Sequence, residues 1–213
     1  MDNHPKIIYN HPMNERSANK KPNPVHSRQE IIAASHRLFL EQGFHGTTMR
    51  QIAKESGMAL GSLYTHFPGK DELFQAVFDA YNPYLLLLLA LENSQGATAE
   101  ELVRTSARRM VNALAARPDL IKLVFIDVVE FQGRHLRANY ANVAPRLVKF
   151  AMRIKRDGFE VRDFSPESLL RAFFGLFYSF HTTEMLLGRT PDPAALPADL
   201  QDQVEIYLRG VLR

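Results

Sequence analysis

Thr48-Met49-Arg50-Gln51-Ile52-Ala53-Lys54-Glu55-Ser56-Gly57-Met58-Ala59-Leu60-Gly61-Ser62-Leu63-Tyr64-Thr65-His66-Phe67-Pro68-Gly69-Lys70 reads as two short helices and the tight turn between them. Thr48 with Gln51 three residues later is a capping box, in which two side chains satisfy backbone amides at a helix start. Ile52 and Ala53 then face inward. Gly57 suits the left-handed residue that closes such a turn. A third helix over about 59–66 carries Leu63 and Phe67 one turn apart on its buried side, before Pro68 and Gly69 end it. Two short helices joined by a glycine-containing turn of about three or four residues form the helix-turn-helix pattern.

Working outward, Ser27 with Glu30 makes a second capping box. Ile31, Ala34, Leu38 and Phe39 repeat at helical spacing and Gly43 supplies a stop, which predicts a first helix over about 28–42. Lys70, Asp71 and Glu72 open a fourth, the acids matching its positive amino end. Beyond it the spacing predicts helices over about 72–92, 98–116, 119–131, 135–156, 166–188 and 198–212. Pro118, Gly133, Gly158, Pro166 and the 191–197 loop punctuate them. No strand-like alternation stands out. The expected fold is all-α: a three-helix helix-turn-helix DNA-binding domain over 27–72, then a helical ligand-binding and dimerisation domain over 73–213. Residues 1–26 hold four prolines and read as a flexible tail. Its Arg16, Lys20 and Lys21 suit an arm that follows DNA, or an inert terminus.

Composition bounds the function. The 213 residues are 46% hydrophobic, enough for a real core, and contain no cysteine, which removes disulfides and thiolate chemistry. The opening residues lack a signal-peptide pattern, and apolar runs such as 85–91 fall short of the roughly 20 residues of a spanning helix. The protein therefore reads as soluble and cytoplasmic, without a membrane partner. The net charge of +3 is unevenly placed: 16–70 holds eight basic residues against three acidic, whereas 71–213 holds 17 against 18. A basic amino-terminal third suits phosphate binding, and suits a solvated face as well.

The outward side of the third helix shows Leu60, Gly61, Ser62, Tyr64, Thr65 and His66. Hydroxyls and an imidazole can donate to phosphate oxygens, and glycine admits close backbone approach. Taken singly, Tyr64 and His66 would pass as core caps. In register with Ile52-Ala53, Gly57, Gly61, Leu63-Tyr64, His66-Phe67, Lys70 and Leu73, the stretch over about 27–75 resembles the TetR family of transcriptional regulators. Ala59 departs from the family's usual serine cap on the recognition helix. The resemblance implies phosphate contacts from Thr48, Tyr64, His66 and Lys70, with Thr47 and Ser62 as further candidates. It implies a base-edge contact from Arg50, and a groove-facing Leu60, Gly61 and Thr65. It also implies a repressor that binds a palindromic double-stranded operator as a homodimer and is released by a small-molecule effector. An activator, or a structural DNA-binding protein without ligand control, would carry the same head.

Two features of the body bear on that expectation. Helix 166–188 is apolar nearly all round, and such a helix must be covered on every side. With the stripe on 198–212 it points to a four-helix dimer interface made by Leu169, Phe173, Phe180, Leu187, Val204, Tyr207, Leu208 and Val211; a monomer with a well-filled core is the alternative. Polar residues among apolar ones mark a candidate pocket: Glu130, Tyr140, Tyr178, His181 and Glu184 beside Phe125, Phe131, Phe174 and Phe177. Each of these also suits an ordinary core or surface position. His181 and Glu184 lie one helical turn apart, but two such ligands without a partner motif do not make a metal site. With no Gly-rich phosphate loop, H-E-x-x-H or G-x-S-x-G, no catalytic residue, metal or cofactor is expected.

Overall fold

A computed structural model describes residues 24–117, 119–155, 160–189 and 197–213, and the expected tail over 1–26 lies almost wholly outside them. Among the described residues ten helices follow one another: α1 Pro24–Gly46, α2 Met49–Glu55, α3 Leu60–His66, α4 Lys70–Ala80, α5 Pro83–Glu92, α6 Ala99–Ala115, α7 Asp119–Phe131, α8 Arg134–Ile154, α9 Pro166–Leu186 and α10 Ala198–Val211. Among the described residues there is no strand, only an isolated antiparallel bridge between Val161 and Leu212.

Two of the expected helices are drawn differently. α1 begins at Pro24, so the start expected at about 28 lies inside it. Proline suits a first helical position, where its missing N–H costs nothing. Gly43, at φ 73°, does break the helical path, but one more turn follows it to Gly46. The single helix expected over 72–92 is two. Its most apolar window reaches a mean hydropathy of 1.3, and by length and composition alone Lys70–Glu92 could cross a membrane. Instead the chain breaks at Tyr81-Asn82, and Asn82 caps α5 by accepting from the amides of Tyr84 and Leu85. Pro83 explains the break, because inside a continuous helix it would clash with the preceding turn.

Two apolar clusters organise the molecule. The head cluster centres on Ile31, Phe39, Ile52, Leu63, Phe74 and Phe78, and it takes in Leu123 from α7. The body cluster joins α5, α6, α8, α9 and α10 through Leu88, Met110, Phe150, Phe173, Phe177 and Tyr207. Head and body meet at the α7–α8 corner, where Gln132 and Gly133 both take positive φ (53° and 72°). Asp127, fully buried there, accepts from His135 Nδ1 at 2.5 Å and from the Leu136 amide at 2.9 Å. The His135 ring lies against Phe74, Phe78 and Phe131. A polar pair so deep is retained only when its hydrogen bonds are complete; here they close the α7–α8 corner, and the His135 ring seats it against α4.

Candidate nucleic-acid interface and body cleft

The helix-turn-helix is built by local hydrogen bonds. Thr48 Oγ1 accepts from the Gln51 amide at 3.2 Å, and Gln51 Oε1 returns the bond to the Thr48 amide at 2.7 Å. At the other end of α2 the Met58 amide donates to the Ala53 carbonyl at 2.8 Å and the Gly57 amide to Lys54 at 3.2 Å. This paired closure requires a left-handed residue, and Gly57 has φ 69°. Ala59 leads into α3 with no side-chain cap. Below, Leu63 and Phe67 are buried, while Gly61, Ser62, Tyr64 and Thr65 are exposed, Tyr64 by 48%. A Cβ on Gly61 would meet nothing within 4 Å, so no packing in the chain itself calls for glycine there. This face contributes nothing to the core and is free to meet another surface.

Several expected contacts sit elsewhere. Thr47 is fully buried, its hydroxyl within reach of the carbonyls of Leu38 (3.1 Å) and Gly43 (2.9 Å). It fastens the α1–α2 corner and cannot touch phosphate. Leu60 is half-buried, with part of its side chain against the head cluster. Lys70 Nζ donates to the carbonyls of Phe44 (2.7 Å) and Thr47 (2.8 Å) and lies 4.4 Å from the Phe44 ring centre. Two of its three donors thus hold the corner, leaving one for a phosphate. Arg50 is exposed, as expected, and His66 is half-exposed. Sequence reasoning passed over Arg28, whose guanidinium lies 4.9 Å from the Phe67 ring at the carboxyl end of α3. An arginine stacked on an aromatic at a head's edge is a signal only once the fold brings them together.

The body rearranges the expected dimer face and pocket. Leu169, Phe173, Phe180, Val204, Tyr207, Leu208 and Val211 are all buried within the single chain. Tyr207 donates its hydroxyl to the Leu169 carbonyl, and burial pushes its pKa far above the ordinary value. These residues are intrachain core, because α9 and α10 pack on α6 and α8. Of the eight, only Leu187 is exposed, by 56%. Of the nine pocket residues, only His181 and Glu184 line a cleft of the body that the helices enclose beside α1. Phe131 packs on Phe44 and Phe74 in the head cluster, and Glu130 pairs with His45 of α1 at 2.7 Å, so both join head to body. Phe177 is core and Phe174 packs against it. Tyr140 lies by Tyr84, and Phe125 by Tyr178, both tyrosines about half exposed.

The cleft itself, about 510 Å³, runs between Leu40 of α1, the end of α6, the start of α7 and the end of α9. Arg117 clamps Asp119 with two bonds (3.0 and 2.7 Å), and His36 Nε2 reaches the same carboxylate at 2.8 Å. Burial pushes the Asp119 pKa up, but these donors outweigh it and hold the carboxyl well below its ordinary value. His36 also stacks on Tyr81, ring centres 3.7 Å apart. Across the cleft, burial lowers the His181 pKa.

Comparisons with known proteins agree with this geometry. Residues 31–77 match the family model of bacterial regulatory proteins, tetR family. The HTH-type transcriptional regulator LmrA of Bacillus subtilis is 52% identical over 56 residues, which are 26% of this chain and 29% of that protein. The likeness therefore spans less than a third of LmrA and is confined to one segment. The HTH-type transcriptional repressor Rv1474c of Mycobacterium tuberculosis is 25% identical over 173 residues, 81% of this chain and 89% of that protein. A solved regulator of Mesorhizobium loti assigned to the TetR family superposes with a TM-score of 0.70 at 19% identity, covering 91% of this chain and all of that one. At that identity the superposition speaks for the fold: a helix-turn-helix head on a helical body.

Proposed function

We propose that this chain, whose amino-terminal segment is a TetR-family domain, is a transcriptional repressor that binds a palindromic operator as a homodimer and is released by a small molecule. The observation that carries the reading is the polar, unpacked face of α3 behind the Gly57 turn. In it Arg50 reads a base edge, and Gly61 and Thr65 lie against the groove. Thr48, Ser62, Tyr64 and His66 hold phosphates, joined by the remaining Lys70 donor and by Arg28. The two heads of a dimer then stand about 34–36 Å apart, one helical turn of DNA.

The dimer face in this reading is the outward side of α9 and α10. Ala172, Gly175 and Ser179 follow one another there on α9, and Ile206 and Gly210 on α10, all exposed. A Cβ on either glycine meets nothing within 4 Å, so space exists for a second helix to approach closely. Ile206 is 70% exposed, an apolar side chain that a partner would cover.

Genome-wide capture of bound DNA, with Tyr64→Ala as control, tests the reading. A palindromic site upstream of the protein's own or a neighbouring gene, lost in the variant, is the expected result. Weak binding that is blind to sequence and unmoved by the substitution would sink it.

A further inference from the structure

The cleft between α1, α7 and α9 has a charge balance that selects its occupant. We propose that it binds an amphipathic organic anion, an apolar body bearing one carboxylate, and that Asp119 reports its occupancy to the head through His36. This rests on the regulator reading above and names the effector's chemistry and its route.

Two carboxylates line the cleft and both are matched. Asp119 is held by Arg117 and His36, and Glu184 faces Arg189 at 3.9 Å. Lys122 also lines the cleft, and among the described residues no acidic group lies within 4 Å of its ammonium. A cationic ligand would find no unmatched carboxylate and would meet Lys122. An anion finds one unspent positive charge. The second polar anchor is His181, whose buried Nε2 has no hydrogen-bond partner among the described residues. Burial favours its neutral form, so it offers a hydrogen bond rather than a charge. Leu40, Leu114, Ile121 and Met185 supply the apolar walls. The volume, about 510 Å³, falls among clefts of roughly 300–1,000 Å³ that enclose small organic ligands.

The route to the head is short. His36 and Leu40 lie four residues apart on one side of α1: Leu40 lines the cleft, and His36 Nε2 sits 2.8 Å from the Asp119 carboxylate that lines it too. Tyr81, at the α4–α5 break, is stacked under His36 and lies 4.9 Å from the Arg117 guanidinium. A carboxylate entering beside Lys122 competes with Asp119 for Arg117. It thereby disturbs the pair that seats α1 on the body, and α1 carries the helix-turn-helix.

Calorimetry on the full chain with three matched probes, 2-naphthoate, 2-naphthylmethanol and 2-naphthylmethylammonium, tests the assignment. Naphthoate is expected to bind once per chain, at least about tenfold tighter than either analogue, and Lys122→Ala to remove about that factor. Naphthoate is expected to weaken binding of the captured operator by roughly five- to a hundredfold. His36→Gln should keep naphthoate binding while losing that effect, and Asp119→Asn, which frees Arg117 for the ligand, should tighten naphthoate binding while losing it too. Equal binding of the three probes, or an unchanged Lys122→Ala affinity, overturns the anion assignment. Full coupling in both His36→Gln and Asp119→Asn overturns the route. Naphthoate that fails to bind a chain still holding its operator overturns the site alone. A chain that binds naphthoate through Lys122 but no operator overturns the regulator reading instead.

Discussion

The head and the body of this molecule are both helical and both well packed, yet they store their information differently. In the head each decisive contact is local: Thr48 with Gln51, Gly57 with the end of α2, Leu63 with Phe67. In the body the decisive contacts join helices far apart in the chain, as when Arg104 of α6 donates to Glu205 of α10 at 2.7 Å. Substitutions in the head should therefore act through one corner at a time. Those at the head–body seam should be felt in both regions.

The largest effect is expected from Phe74→Ala. Phe74 is fully buried and touches Phe39, Phe44 and Phe78 in the head as well as Phe131 and His135 from the body. Its loss should cost about 3–5 kcal/mol, read by amide hydrogen exchange followed separately in the head and in the body. Loss confined to one region would mean that the seam does not couple the two.

Lys70→Ala and Arg50→Ala sharpen the contrast within the head. Because Lys70 bonds two carbonyls, its removal should cost about 1.5–3 kcal/mol of stability and weaken binding to every sequence. Arg50→Ala should leave stability unchanged and relax the preference at one base pair by about 1–3 kcal/mol. A Lys70→Ala protein with native stability but a flatter salt dependence would make Lys70 purely a phosphate contact. A smaller gain, about 1 kcal/mol in thermal unfolding, is expected from Ala59→Ser, which supplies the missing cap of α3.

The slightest effect concerns pH. The Asp119 pKa is lowered by folding from 3.8, so its contribution to stability is present above that value and is lost as pH falls below it. Asp119→Asn should flatten the acid limb of a stability–pH profile and leave the neutral region parallel to that of the parent chain. An unchanged acid limb would show that the Arg117 and His36 contacts do not persist in solution.

Legibility followed the same division. The order of the helices, the turn at Gly57 and the uncapped start of α3 were open to reading, because caps, glycines and prolines act on their own neighbours. The break at Asn82-Pro83 carried a signal as well: a proline preceded by asparagine is a cap and a first turn. What periodicity could not decide was which side of α9 faces inward. That helix presents apolar residues in all directions, so Leu169, Phe173 and Phe180 looked like partner contacts and proved to be core, while Leu186 and Leu187 point to solvent. The cleft was illegible for another reason. Leu40, Arg117, Lys122 and Met185 share no pattern along the chain, and only the packing of α1 beside α7 and α9 assembles them.

The bare amino end of α3 leaves a thermodynamic mark. A seven-residue helix without a side-chain cap is marginal by itself, and its leading amides stay open to an incoming oxygen. When an anionic surface supplies that oxygen, association also completes the folding of the helix. Calorimetric traces of the encounter should then show a favourable enthalpy opposed by ordering, with a negative heat-capacity change beyond what rigid docking of the same face would give. Serine in place of Ala59 would move part of that heat out of the encounter and into the resting protein.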